Sequence, residues 1–120
     1  MIQLKNVSFE YRKTKLYQHF NFHLAEPGVY GVFGRNGSGK STLLKLLACL
    51  LFPQQGQIDV RGFAPGARHP DFLSQIYIVP EEFHLPNLTA QQLAATQAVF
   101  YPKFSREAFK DYLAIFEISD

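Results

Sequence analysis

A nine-residue stretch with three glycines, one lysine and three hydroxyl residues constrains this sequence more than any other feature. It reads Gly34-Arg35-Asn36-Gly37-Ser38-Gly39-Lys40-Ser41-Thr42 and satisfies the pattern of Gly, four residues, Gly, Lys and Ser or Thr. The apolar run at residues 29–33 predicts a buried strand before it, and the Leu-rich run at residues 43–51 predicts a buried helix after it. A strand, a glycine loop and a helix in this order predict a phosphate-binding loop in an α/β core.

The glycines in this stretch allow backbone N–H groups to curl around an anion, because no side chain blocks the approach. The predicted helix begins near Gly39, where unpaired N–H groups and the positive end of the helix dipole also favour a phosphate. The loop residues predicted to bind nucleotide are Gly34, Asn36, Gly37, Ser38, Gly39, Lys40, Ser41 and Thr42.

Three side chains at the end of the loop have separate predicted roles. Lys40 is predicted to reach the terminal phosphates, and the Ser41 hydroxyl is predicted to coordinate Mg²⁺. The Thr42 hydroxyl has two equal alternatives, which are donation to another phosphate oxygen and capping of the helix. The expected ligands are therefore a nucleoside triphosphate and Mg²⁺.

Composition favours one small globular unit and excludes several other classes. The chain has 120 residues, of which 47% are hydrophobic, and a net charge of +2, which is too mild to predict nucleic-acid binding. The basic run at residues 12–15 is predicted to be a solvated hairpin tip. The single cysteine, Cys49, excludes an internal disulfide and is predicted to be a buried thiol. The longest apolar run, residues 46–52, is too short to cross a bilayer, which takes about 20 residues.

Periodicity predicts the remaining elements. Alternating apolar residues predict strands at residues 2–9 and 20–24, joined as a hairpin, and further strands at residues 58–61 and 76–79. After residue 87 the signals are helical. Thr89 and Gln92 form a capping box, and Ser105 can cap a second helix.

The order of these motifs resembles the N-terminal half of an ATP-binding cassette (ABC) transporter ATPase. The resemblance rests on the stretch from Asn6 to Tyr11, the glycine loop, residues 46–48 and 53–58, and the Tyr-Ile-Val-Pro sequence at residues 77–80. It implies an α/β fold that combines a P-loop NTPase core with an N-terminal antiparallel β subdomain. Residues 1–86 would form the β subdomain and the core, and residues 87–120 would begin a helical subdomain.

The resemblance also implies roles for residues outside the loop. Tyr11 matches the aromatic residue that stacks on adenine in this family, although it can also be read as an ordinary strand tyrosine, and Tyr17 is a weaker stacking candidate. The family normally has Gln after Tyr-Ile-Val-Pro, whereas this chain has Glu81. A carboxylate is a good Mg²⁺ ligand, but it adds negative charge near the γ-phosphate. Lys40 and Glu81 are therefore the candidate catalytic residues, and Ser41 and Glu81 the candidate metal ligands.

Two further departures concern packing and hydrolysis. Cys49 stands where the family usually has glycine, and this change is expected to affect packing only. The family's signature sequence, its apolar strand ending in Asp-Glu and its downstream His are not found in these residues. The run at residues 113–117 looks similar to that strand, but its neighbours have helical spacing, so it is assigned to a packed helix. We therefore expect this chain, read as a fragment or partial product, to bind ATP without hydrolysing it.

The intact protein implied by the resemblance is a peripheral ATPase at the cytoplasmic face of the cell membrane. Its partners would be transmembrane transporter subunits and a second ATPase domain, in a homodimer or heterodimer. Two alternatives remain, namely a soluble ABC-type ATPase and a non-catalytic nucleotide-binding module. A nucleotide kinase would not explain the hairpin before the loop or the position of Tyr11.

Overall fold

The computed structural model describes residues 1–82, 84 and 86–118. Their contacts divide the chain into two compact units, Met1–Tyr77 and Ile78–Asp120. The predicted subdomain boundary after residue 86 stays a prediction. The elements in chain order are β1 (Ile2–Tyr11), β2 (Thr14–Leu24), α1 (Lys40–Leu47), β3 (Gln55–Val60), a 3₁₀ turn (Pro65–Ala67), α2 (Pro70–Leu73), α3 (Ala90–Ala98) and α4 (Arg106–Ile115).

The first unit is built on a three-stranded antiparallel sheet in the order β2-β1-β3. Ile2 on the central strand lies opposite Leu24 on one side and Val60 on the other. The predicted hairpin is confirmed, but β2 begins at Thr14 and not at residue 20. Only Arg12 and Lys13 of the predicted tip form the turn, and both are exposed. The predicted strand at residues 58–61 is also present, but it begins earlier, at Gln55.

The core of the first unit forms where α1 packs on the sheet. Leu4, Val7 and Phe9 from β1 are buried together with Leu43 and Leu46 from α1. Full burial of such a side chain stabilises a fold by about 1.5–3 kcal/mol, so this contact fixes the start of α1 against the sheet. A second buried cluster consists of Cys49, Val60 and Phe72.

Two predicted strands do not form. Residues 29–33 and 76–79 have no strand structure, and Val29 and Phe33 in the first run are 105% and 95% exposed. A strand needs a hydrogen-bonded neighbour, and within the described residues every paired strand belongs to the antiparallel sheet. The predictions of strands at these two runs were wrong, because neither run is paired with a strand among the residues that the structure describes.

Helix α1 is shorter and less buried than predicted, and it ends in a left-handed turn at Cys49. The Cys49 N–H donates to Leu46 O at 3.3 Å and the Leu50 N–H donates to Lys45 O at 2.8 Å, which is the hydrogen-bond pattern of a Schellman cap. Cys49 has φ of 59° at the cap position that usually holds glycine. The predicted burial of this thiol is confirmed at 1% exposure. The expectation that Cys49 affects packing only was wrong, because this residue also carries backbone strain.

The second unit contains the two predicted helices with their predicted caps. Thr89 and Gln92 make the reciprocal capping box at the start of α3, and the Ser105 hydroxyl accepts from the Ala108 N–H at the start of α4. None of the described residues of this unit is buried. The assignment of residues 113–117 to a packed helix was wrong in this respect, since Ile115 and Phe116 are 68% and 67% exposed. In the part of the chain that the structure describes, no helix combines the length and apolar character needed to span a bilayer.

Candidate phosphate-binding site

The glycine loop forms a tight turn that leads directly into α1. The Ser38 N–H donates to Arg35 O at 3.1 Å, which closes a four-residue turn with Gly37 at its third position. Gly37 has φ of 83°, the value that a type II turn requires there. Gly39 follows with φ of 102° as the N-cap of α1. The turn therefore has a defined shape even though the run before it is not a strand.

The Lys40 side chain folds back over this turn. Its ammonium group donates to Gly34 O at 2.8 Å and to Arg35 O at 2.9 Å. An ammonium group has three donors, so one donor remains for an anion at the loop. Lys40 thus closes the loop from the helix side and holds a positive charge there.

The N-terminus of α1 is open to an anion. No side chain caps it at Gly39, and its first turn contains no acidic residue. The N–H groups of a helix's first turn have no partner within the helix, and their dipoles favour negative charge. Ser41 is exposed in this turn, as its predicted role requires. Capping by Thr42 was one of its two predicted roles, and this alternative was wrong because the Thr42 side chain makes no cap bond.

Two tyrosine hydroxyls from the sheet contact the start of α1. The Tyr11 and Thr42 hydroxyls share a hydrogen bond of 3.2 Å, and Thr42 is only 6% exposed. The Tyr17 hydroxyl donates to Gly39 O at 2.7 Å. Burial raises the pKa of the Tyr17 hydroxyl, and the nearby Tyr11 raises that pKa further. Tyr17 therefore remains a neutral donor at neutral pH.

The Tyr11 ring lies at the end of β1, beside the loop. It is 45% exposed and meets the Phe9 ring edge-to-face, with centroids 4.8 Å apart. Phe9 itself is buried in the core, so it supports the Tyr11 ring from behind. An exposed aromatic face beside a phosphate loop can stack on a base, and this role of Tyr11 stays a prediction.

The candidate metal ligands are not gathered into a preformed cluster. Within the described ranges, no group of three or more His, Cys, Asp or Glu side chains is placed to hold a metal ion. Glu81 is exposed and belongs to the second unit. Its assigned roles as a metal ligand and a catalytic residue stay predictions, and so does the metal role of Ser41.

Sequence reasoning missed the contact between Tyr17 and the loop. Tyr17 lies opposite the core residue Phe9 in the sheet register, which puts both on adjacent strands next to α1. Irregular steps in the pairing of β1 with β2 separate this position from the regular alternation at residues 20–24. The only signal in the sequence was a tyrosine on the strand that precedes the loop. The bulges in the pairing of β1 with β2 prevent alternation from showing which residues of β2 face α1.

Comparisons with known proteins agree with this geometry. The family described as ABC transporter matches residues 17–120, a stretch that includes the loop but not Tyr11. The energy-coupling factor transporter ATP-binding protein EcfA1 of Fusobacterium nucleatum is 44% identical over 63 residues, which are 52% of this chain and 24% of that protein. The zinc import ATP-binding protein ZnuC of Pasteurella multocida is 30% identical over an alignment of 122 positions, which covers 99% of this chain and 41% of that protein.

A solved structure shows the same fold. It is the dimeric structure of a post-hydrolysis state of an ATP-binding cassette bound to ADP and Pi, and it aligns with a TM-score of 0.67 at 24% identity. The alignment covers 90% of this chain and 52% of that one. The chain thus spans less than half the length of the two curated relatives and about half of this structure. The expected α/β fold of a P-loop NTPase is confirmed, and the chain belongs to the ABC transporter ATPase family.

Proposed function

We propose that this chain binds ATP with Mg²⁺ through the loop from Gly34 to Thr42. The observation that carries the proposal is the Lys40 ammonium, held over the loop by two backbone carbonyls beside an uncapped helix N-terminus. This arrangement brings a cation and several free N–H donors to one point. A triphosphate is the ligand that satisfies both.

The loop leaves little room for a side chain at Gly34. A Cβ atom there would lie 2.7 Å from the Ser38 Oγ atom and 3.9 Å from the Lys40 Cδ atom, so a larger residue would crowd the loop. Ser41 would hold Mg²⁺ through its hydroxyl, together with phosphate oxygens. Glu81 is proposed as a further oxygen ligand. The bound metal would neutralise charge on the terminal phosphates.

The proposed ligand for Tyr11 is the adenine ring. Support comes from its 45% exposure beside the loop and from the fixed ring of Phe9 behind it. Stacking of this kind contributes about 1–3 kcal/mol to binding. Tyr11→Ala is therefore expected to weaken ATP binding more than Tyr11→Phe, which keeps the ring and loses only the hydrogen bond to Thr42. Equal affinity of both variants and the wild type would make Tyr11 a structural residue.

The whole protein is proposed to be an ATPase that couples ATP binding and hydrolysis to transmembrane transport. Its partners would be transmembrane subunits and a second ATPase domain. It would be located at the cytoplasmic face of the membrane. Support comes from the relatives, which are named as ATP-binding proteins of transporters, and from the dimeric state of the structural neighbour.

The test of ATP binding compares two lysines of one helix. Lys40→Ala removes the ammonium that lies over the loop, whereas Lys45→Ala removes the same charge farther along α1. Calorimetric titration with Mg·ATP is expected to show at least tenfold weaker binding for Lys40→Ala, about 1.4 kcal/mol, and unchanged binding for Lys45→Ala. Equal affinity of the wild type and Lys40→Ala for Mg·ATP would contradict ATP binding by the loop.

The 120-residue chain by itself is proposed to bind ATP without turnover. Its sequence has no family signature that could complete the site of a second copy. Phosphate release by the purified chain is therefore expected to equal that of Lys40→Ala. Release that exceeds this control and rises with protein concentration would instead assign a catalytic carboxylate to Glu81 or Glu82.

A further inference from the structure

The Gly39 carbonyl accepts two hydrogen bonds that together fix its direction. The Leu43 N–H donates to it at 2.8 Å as the first bond of α1, and the Tyr17 hydroxyl donates to it at 2.7 Å from the sheet. The C=O and N–H of a trans peptide point in opposite directions within one plane. The Lys40 N–H therefore points out of the N-terminal end of α1, where a bound phosphate would accept it.

The Tyr17 ring is positioned by packing on the sheet side. It stacks on Phe20 with centroids 4.9 Å apart and packs against the core cluster of β1 and α1. A Cβ atom on Gly39 would lie 2.6 Å from the Tyr17 hydroxyl oxygen, so the two residues are in close contact. The packing of the ring thus fixes the position of the Tyr17 hydroxyl relative to the Gly39–Lys40 peptide, the first peptide of α1.

We propose that Tyr17 is a positioning residue for polyphosphate binding, which holds the Gly39–Lys40 peptide so that its N–H donor is directed at the ligand before the ligand arrives. This inference rests on the proposed function of the loop. It concerns the phosphate chain alone, so it applies to a nucleotide and to an inorganic polyphosphate alike. It differs from a stacking role, which would act only on ligands that carry a base.

Loss of the hydroxyl leaves the Gly39 carbonyl held by the Leu43 N–H alone, so the Gly39–Lys40 peptide is less restricted in the free protein. Binding must then order that peptide, and this ordering reduces affinity. The net contribution of one neutral hydrogen bond corresponds to about a fivefold change in an equilibrium constant. Tyr17→Phe keeps the ring and its stacking on Phe20, so it isolates the hydroxyl.

The experiment titrates the full chain with inorganic tripolyphosphate and, separately, with Mg·ATP. Tyr30→Phe is the matched control, because the Tyr30 hydroxyl also donates to a backbone carbonyl at 2.7 Å, that of Glu26, outside the loop. Tyr17→Phe is expected to lower the affinity for both ligands by the same factor, roughly fivefold. The Tyr30→Phe variant is expected to bind both like the wild type. Unchanged tripolyphosphate affinity in Tyr17→Phe, alone or with weakened ATP, would overturn the proposal.

A second measurement needs no ligand. In the free protein the Lys40 amide resonance is expected to shift in Tyr17→Phe and to stay in place in Tyr30→Phe. An unmoved Lys40 resonance in Tyr17→Phe would contradict the positioning role. A lower unfolding temperature in Tyr17→Phe with unchanged tripolyphosphate affinity would also overturn it, because the hydroxyl would then be structural only.

Lys40→Ala separates this inference from the function on which it rests. If Lys40→Ala weakens tripolyphosphate binding and Tyr17→Phe does not, the loop binds phosphate and only the role of Tyr17 is wrong. If Lys40→Ala binds both ligands like the wild type, the proposed function fails and the role of Tyr17 fails with it.

Discussion

The two compact units of this chain differ in what holds them together. The first unit, Met1–Tyr77, has a sheet with buried residues on its central strand and a helix packed against it. The second, Ile78–Asp120, has two helices with well-formed N-caps, and none of its described residues is buried. The helices of the second unit begin at caps formed by residues close in sequence. The first unit is instead held by contacts between residues that are far apart in sequence.

This difference explains why the candidate phosphate site belongs to the first unit. The loop has its shape because α1 is packed on the sheet and because Tyr11 and Tyr17 contact the start of that helix. A capped helix without a packed face cannot hold donors in place in this way. The predictions below test whether the first unit depends on its long-range contacts as strongly as the structure indicates.

The largest expected effect comes from removing a core side chain. Leu46 is 0% exposed in the first unit, whereas Leu93 on α3 is only partly buried. Leu46→Ala is expected to lower the free energy of unfolding of its unit by about 2–5 kcal/mol. Leu93→Ala is expected to cost its own unit less than about 1 kcal/mol, because little packing is lost. Urea unfolding, followed by the resonances of each unit, measures the loss of unfolding free energy in both variants. Equal losses would contradict the claim that only the first unit depends on a buried core.

The next effect tests the close approach of β3 to β1. Gly56 and Gly62 have φ of 91° and 85°, so alanine is strained at both. A Cβ atom on Gly56 would also meet the Asn6 carbonyl of β1, whereas one on Gly62 would meet nothing within 4 Å. Gly62→Ala is expected to cost about 1–2 kcal/mol, and Gly56→Ala a further 1–3 kcal/mol or so from overpacking. Equal unfolding free energies for the two variants would show that the strand contact is loose.

A smaller effect concerns the strained cap at the end of α1. Cys49→Gly removes the penalty of a left-handed φ but also removes a buried thiol, while Cys49→Ala keeps the penalty and loses the thiol. We expect Cys49→Gly to be more stable than Cys49→Ala by about 1 kcal/mol. Thermal unfolding of the two variants measures this difference. The reverse order would mean that the strain at Cys49 is negligible.

The smallest effect is a pH dependence from Tyr17. Its raised pKa means that the folded chain keeps the proton at a pH where the unfolded chain has lost it. The contribution of the Tyr17 hydroxyl to the free energy of unfolding is therefore constant below about pH 10 and falls as the pH rises above that value. Tyr17→Phe removes this contribution, so its stability is expected to fall less between about pH 9 and pH 11. A steeper or equal fall in Tyr17→Phe, with Tyr30→Phe as the reference, would contradict the burial of this hydroxyl.

The features predicted correctly from the sequence are those that depend on neighbouring residues. The capping box of Thr89 with Gln92 and the cap at Ser105 follow from local chemistry. The hairpin of β1 and β2 also follows, because its two strands are joined directly. The basic residues at its tip are exposed as their charge requires.

The features that failed depend on distant partners. Residues 29–33 have a strand-like pattern, but pairing needs a neighbour that the pattern does not specify. The contact of Tyr17 with Gly39 depends on bulges whose positions alternation cannot give. The strain at Cys49 depends on the point at which α1 ends. These are long-range or terminal effects, which a local pattern does not determine.

The measurement that tests the central claim most directly maps a polyphosphate onto the chain. Addition of inorganic tripolyphosphate to the isotope-labelled full chain is expected to shift the amide resonances of residues 34–42, with Lys40 among the largest shifts. Resonances of α3 and α4 are expected to stay in place. The same titration of Lys40→Ala should produce smaller shifts at the same total ligand. Shifts concentrated in the second unit, or a loop that does not respond, would contradict the claim that the sheet-supported loop is the phosphate site.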